Sequence, residues 1–226
     1  MPHATLPGEL ADELVTWADA QLESGNNILA TSNQGTVLHY RDDTYDLVLK
    51  TAMGTGAALR TRQHTLEREF AAYRRIDDVP GVPRCYGMLD GRYLVLEFIR
   101  GTPYREAQIP DRESWFAALL ATLQACHERG VAHGDLKNKS NLMNTEAGMP
   151  CVIDFGLTAV RRDGFRPINH LLFRFFRQLD LNAWVKHKYQ GRFEDVSAED
   201  QALYRDSAIE RLARRYRQRK GLQGPR

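Results

Sequence analysis

Two aspartates, each opening a loop and set close together along the chain, constrain this sequence more than any other feature in it. The first stands in His133-Gly134-Asp135-Leu136-Lys137-Asn138-Lys139-Ser140-Asn141-Leu142-Met143, and the second ends a short apolar run, Cys151-Val152-Ile153-Asp154-Phe155-Gly156. The apolar run reads as a strand that delivers Asp154 to its loop. Phosphoryl transfer from a nucleotide asks for a carboxylate that orients the incoming hydroxyl and for oxygen ligands that hold Mg²⁺ against the phosphates. This stretch contains residues of both kinds.

The two loops resemble the catalytic loop and the Asp-Phe-Gly metal loop of the protein-kinase superfamily. With His-Gly-Asp in place of His-Arg-Asp, they are most similar to its small atypical branches: the RIO kinases, the small kinase of the KEOPS complex and the bacterial lipopolysaccharide-core (Kdo/WaaP type) kinases. The resemblance implies an α+β, two-lobed fold with an antiparallel N-lobe sheet plus a helix and a reduced helical C-lobe. It implies ATP and Mg²⁺ as cofactors, with Asp135 and Lys137 in catalysis and Asn141 and Asp154 on the metal. The usual spacing puts Ser140 at the metal-binding position. A one-residue insertion at Asn138-Lys139 restores Asn141, with Asn138 and Ser140 as substitutes. His133 is expected to brace the loop through backbone hydrogen bonds. Gly134 removes the loop cation that pairs with a phosphorylated activation segment, so activity is expected without that modification.

The rest of the chain fits this frame. Residues 8–24 place Leu10, Leu14, Trp17, Ala18 and Leu22 at helical spacing, the pattern of a packing helix. Short strands follow at 28–31, 36–41 and 45–51, the last ending in Val48-Leu49-Lys50. By resemblance Lys50 points at the phosphates; the alternative is an edge-strand lysine left in solvent. Of the glycine-rich loop only Gly35 remains, expected to let backbone amides cradle a phosphate. A basic amphipathic helix spans 60–76, where Glu69 is the expected partner of Lys50 and Glu67 its rival. Asp90-Gly91 marks a hairpin between 84–89 and 92–99. The backbone from Glu97 to Ile99 then stands where a kinase hinge meets adenine.

A long helix over 111–129 carries Trp115, Phe116, Leu119, Leu120, Leu123 and His127 as a buried stripe, with His127 read as a satisfied core histidine. Gly130 ends it. Residues 167–189 form a very apolar and basic helical region in which Arg177-Gln178-Leu179-Asp180-Leu181-Asn182 resembles the Arg-x-x-Asp-Leu element of the lipopolysaccharide-core kinases. Asp180 either braces the catalytic loop from beneath or caps a helix. From Ser197 a helix runs into a basic tail.

Length and composition are consistent with one domain over 1–226: an N-terminal helix 8–24, an N-lobe 28–99, a C-lobe 103–190 and a basic helical tail 197–226. The 226 residues suffice for one substantial core or two small lobes sharing a cleft. A net charge of +2 argues against a general polyanion binder. The three cysteines, Cys85, Cys126 and Cys151, stand far apart, which favours a reducing, cytoplasmic setting. No apolar run is long enough to span a bilayer. The basic tail is either a solvated or disordered end or a site of peripheral contact with an anionic surface: lipopolysaccharide, RNA or a membrane such as the inner membrane. The function expected is transfer of the γ-phosphoryl group to a hydroxyl by a serine/threonine-type kinase. A lipopolysaccharide core sugar is the alternative acceptor, and a pseudokinase nucleotide-binding scaffold the alternative of another class.

Overall fold

The computed structural model of the chain describes residues 5–32 and 35–205. The basic end of the expected tail lies outside them. Helix α1 (Gly8–Ser24) precedes strands β1 (Ile28–Thr31), β2 (Thr36–Arg41) and β3 (Asp46–Thr51). Helix α2 (Gly56–Ile76) follows, and the hairpin of β4 (Cys85–Leu89) and β5 (Tyr93–Glu97) then completes an antiparallel sheet in the order β1-β2-β3-β5-β4. Asp90 and Gly91 both take positive φ, 49° and 62°, which is what a two-residue hairpin turn requires. Lys50 is therefore in the central strand of the sheet, which rules out the edge-strand reading.

Alternation along the strands decides what each face of the sheet carries. Leu38, Leu47, Leu49, Tyr93 and Val95 point one way and are fully buried with Leu14 and Ala18 of α1. The Tyr93 hydroxyl donates to Asp19 at 2.5 Å, tying helix to sheet. Lys50, paired in register with Leu94, points the other way, toward α2 and the cleft. Helix α2 begins one turn before the sequence pattern suggested and buries Leu66, Glu69, Ala72, Tyr73 and Ile76.

The second lobe begins with β6 (Gly101–Pro103) and α3 (Arg112–Glu128). Asp111 caps α3 by accepting from the Ser114 amide at 3.0 Å. Strands β7 (Val131–Ala132), β8 (Leu142–Thr145), β9 (Pro150–Val152) and β10 (Ala159–Val160) form two small sheets, β10-β7 and β6-β8-β9. Helix α4 (Pro167–Lys188) packs against α3, with the Trp184 indole donating to Phe116 O at 2.8 Å. A short helix, α5 (Ala198–Leu203), closes the described chain, its first turn capped by Ser197. One large core runs from α2 and β4–β5 into α3, α4 and the loop residues Leu136 and Phe155. The three cysteines are free and buried, and burial pushes each thiol up to about 12.

Candidate active site

The small strands of the second lobe set the spacing of the two aspartate loops. Leu142 of β8 pairs with Val152 of β9, so Asn141 and Ile153 leave the hairpin at the same end, joined by Ile153 N–H to Asn141 O at 3.0 Å. The pairing of β7 with β10 closes the other side. The His133–Asn141 and Asp154–Thr158 loops are thus held side by side between two ladders.

Each loop is fixed by buried polar contacts. Asp180, fully buried, accepts from the His133 amide at 2.8 Å, the Gly134 amide at 2.7 Å and His127 Nε2 at 2.9 Å. It sits in the middle of α4, so it braces the loop and does not cap a helix. His127 is satisfied by the same carboxylate. His133 turns its ring to Ile153 O at 3.0 Å, backbone bracing of the kind expected. His187 reaches Leu136 O at 2.7 Å, and burial holds its pKa below the usual 6.5. Gly134, at φ 82°, lies so close to Phe176 that a Cβ there would stand 2.1 Å from the ring.

Across the cleft, Lys50 Nζ donates to Glu69 Oε1 at 2.7 Å and to Asp154 Oδ1 at 3.2 Å. One ammonium is shared between two carboxylates. Burial works against the Lys50 charge, yet the two anions outweigh it and raise its pKa. Glu69 is the more deeply placed acid, and desolvation pushes its pKa up despite Lys50. Asp154, half exposed, also feels burial, but Lys50 more than offsets it and the carboxyl stays below its usual range. Glu67 is exposed beside His64 and is not the partner of Lys50. Asp154 itself takes φ 66° and ψ 74°, a left-handed backbone that a non-glycine residue rarely adopts.

The remaining expected residues fall around this cluster. Asn141 is buried and its Nδ2 donates to Asp135 O at 3.1 Å and Oδ2 at 3.4 Å. Asn138 caps the following turn through Ser140 N at 3.3 Å, and the Ser140 hydroxyl points to Asn141 Oδ1 at 3.4 Å. Lys137 is exposed within the His133–Asn141 loop. Gly35 lines the cleft, and its lack of a side chain serves the sheet: a Cβ would meet Thr51 O at 2.0 Å. Asn33 and Gln34 of that turn lie outside the described residues.

A cavity of about 530 Å³ extends from Lys50 and Asp154 to Ile99, walled by Leu29, Val37, Val48, Leu96 and Met143. That size and apolar lining suit a nucleotide base. Within the expected adenine-binding run, the Glu97 amide is spent on Arg84 O and the Phe98 amide on Asp46 O. The Ile99 N–H and C=O have no hydrogen-bond partner among the described residues and are open to a ligand's edge. The donor set also fits Mg²⁺, which is commonly held by one or two carboxylates, waters and substrate phosphates. A preformed cage is not needed for it, and no cluster of three or more His, Cys, Asp or Glu ligands occurs among the described residues.

The sequence places Tyr73 only on the apolar face of the helix over 60–76, with Leu66, Phe70 and Ile76, and gives it no part in the site. It is fully buried, four residues after Glu69, at the back of the cavity, with its ring edge-on to Phe155 at 5.1 Å. The i, i+4 spacing from Glu69 was the available signal. Arg68 likewise donates to Thr158 O at 2.7 Å and ties α2 to the second aspartate loop.

Comparison with known proteins gives concordant results. The protein kinase domain model matches residues 30–168, more than half of the chain. CBL-interacting serine/threonine-protein kinase 24 of Arabidopsis thaliana is 30% identical over 132 residues, 54% of this chain and 29% of that protein. CBL-interacting protein kinase 19 of Oryza sativa subsp. japonica is 36% identical over 111 residues, 45% of this chain and 21% of that protein. The chain thus spans less than a third of the length of these curated relatives. Among solved structures, the Rio2 kinase from Chaetomium thermophilum is similar with a TM-score of 0.57 at 17% identity, over 92% of this chain and 72% of that one. A second structure of that kinase, its ADP/Mg²⁺-phosphoaspartate complex, has a TM-score of 0.54 at 19% identity.

Proposed function

The chain belongs to the protein kinase family, and on that premise we propose that it is a Mg²⁺-dependent phosphotransferase that moves the γ-phosphoryl group of ATP to a serine or threonine hydroxyl. The observation that carries the reading is the Lys50 ammonium held between Glu69 and Asp154 across the cleft. It supports a site already arranged for phosphates, because the cation is fixed in place and half of Asp154 remains open to the cavity.

In this reading Lys50 binds the phosphates and Glu69 fixes Lys50. Ile99 meets adenine through its backbone, Glu97 contributes to that hinge, and Gly35 lets β2 close over the nucleotide. Asp154 and Asn141 hold Mg²⁺, which supplies neutralisation of charge at the phosphate oxygens. Asp135 orients the acceptor hydroxyl, and Lys137 steadies charge near the transferred group. A carboxylate suffices for Asp135 because the transition state is loose. A serine or threonine acceptor is favoured by the named relatives, both protein kinases.

A lipopolysaccharide core sugar is the second acceptor. It is favoured by the six-residue link, 161–166, between β10 and α4, which leaves little groove for an extended peptide. Incubation with labelled ATP and Mg²⁺ tests the proposal. Label should pass to the protein itself, an added protein or a lipopolysaccharide fraction. Asp135→Asn and Asp154→Ala should lower that transfer by roughly 10² or more. ATP binding without transfer to any of the three would replace the enzyme with a nucleotide-binding scaffold.

A further inference from the structure

Helix α4 is apolar on two sides, and only one of them is covered. Phe173, Leu181, Trp184 and Val185 are buried against the core. Ile168, Leu171, Leu172 and Phe175 follow one another at three- and four-residue spacing and form a second stripe. They are 83%, 69%, 46% and 51% exposed, and Phe165 in the preceding turn is 93% exposed. Single exposed apolar side chains are ordinary, but five neighbours on one helix and its lead-in mark a contact surface.

The charge around the stripe selects the occupant. Residues 161–177 contain five arginines, Arg161, Arg162, Arg166, Arg174 and Arg177, against one acid, Asp163. All five are exposed, and none forms an ion pair among the described residues. A second copy of the chain would bring the same cationic stripe against itself. The chain beyond Arg205 is no better a cover, since residues 206–226 carry seven basic side chains and two acidic ones. Apolar side chains flanked by unpaired arginines suit one surface best: a bilayer with anionic headgroups, which takes the apolar stripe into its interface and the guanidinium groups at its phosphates.

We propose that the outward stripe of α4, with Phe165, is a peripheral docking face for an anionic lipid bilayer. Phe176, next along the helix, packs on Gly134, so the docked surface borders the catalytic loop. Delivery of a membrane-held acceptor to Asp135 would follow from that placement and rests on the proposed kinase activity. The docking itself does not.

The test is cosedimentation of the full chain, without ATP, with vesicles of equal parts phosphatidylglycerol and phosphatidylcholine, and with vesicles of phosphatidylcholine alone. Wild type should bind the mixed vesicles at least about tenfold better than the neutral ones. The double variant Leu171→Asp/Phe175→Asp should lose about tenfold or more of that binding while keeping the wild-type Tm, since both positions are exposed. The triple variant Arg214→Gln/Arg215→Gln/Arg217→Gln should retain most of it. Failure of wild type to sediment with the mixed vesicles overturns the proposal, as does equal binding to neutral vesicles. Loss of binding in the triple variant alone assigns the contact to the tail and also overturns it. So does a wild-type dimer in sedimentation velocity that the double variant converts to monomer, because a second copy then covers the face.

Discussion

Asp180 accepts the Gly134 amide at 2.7 Å from the middle of a helix forty-six positions further along the chain, and so fastens the catalytic loop to the floor of the second lobe. The same carboxylate holds the His133 amide and the His127 ring. Asp180→Ala would leave three donors without an acceptor in a dry site. We expect a loss of about 3 kcal/mol or more in urea unfolding, together with a fall in kcat. Unchanged stability would show that the loop is held by other means.

Glu69→Gln separates charge from contact at the partner of Lys50. The amide can still accept from Nζ, Asp154 still balances the ammonium, and the burial that raises the Glu69 pKa no longer works against a charge. The expected outcome is a Tm at or above that of wild type with phosphoryl transfer lowered by about 10-fold to 100-fold. A drop in Tm with intact turnover would contradict it.

Gly134→Ala places a Cβ against the Phe176 ring on a backbone at φ 82°. The cost should be about 1–3 kcal/mol by unfolding. Adding Phe176→Ala should return the part due to crowding and leave the part due to backbone strain, a coupling that a double-mutant cycle measures.

His187 should make stability depend on pH on the acid side. Burial holds its folded-state pKa below 6.5. Below that ordinary value the unfolded chain takes up the proton more readily, so stability falls as pH drops from 6.5 toward the folded-state pKa and is retained above 6.5. Thermal melts of wild type and His187→Gln across this range should converge as the pH is lowered, because the variant has no such proton to bind.

Phosphatase treatment should leave activity unchanged. Between Asp154 and Pro167 the only side-chain hydroxyl belongs to Thr158, which is fully buried and donates to Ala132 O at 2.7 Å. No acceptor for a regulatory phosphate is exposed there, and Gly134 offers no cation to receive one. Loss of activity on dephosphorylation would place the switch elsewhere.

The candidate site had two sources in the sequence: Asp135, Asn141 and Asp154 came from the likeness of two loops, and Lys50 and Glu69 from positions on regular elements. Lys50 ends an alternating strand and Glu69 follows helical spacing, so their meeting needed only the sheet and α2 to be placed correctly. Asp180 stayed between two readings because its role depends on where α4 begins. Pro167 at the first turn puts the aspartate thirteen residues inside, where capping is impossible. The outward stripe of α4 was invisible for a different reason: apolar residues on both faces look alike until one face is seen to be covered. Gly35 was read through its likeness to a phosphate loop, whereas the demand on it comes from the Thr51 carbonyl, a contact between strands that no local pattern announces. The hinge shows the same limit, since which amide stays free depends on strand partners and not on side chains.

The segment recognisable as a kinase, residues 30–168, stops short of the physical unit at both ends. Cut at residue 30, the sheet would lose Leu14 and Ala18 and present Leu38, Leu47, Leu49 and Val95 to water. Cut at 168, the catalytic loop would lose its anchor at Asp180. A fragment trimmed to the match would keep every reactive side chain and still be unfit to express, since what makes those groups an ordered site lies in the two helices that flank it.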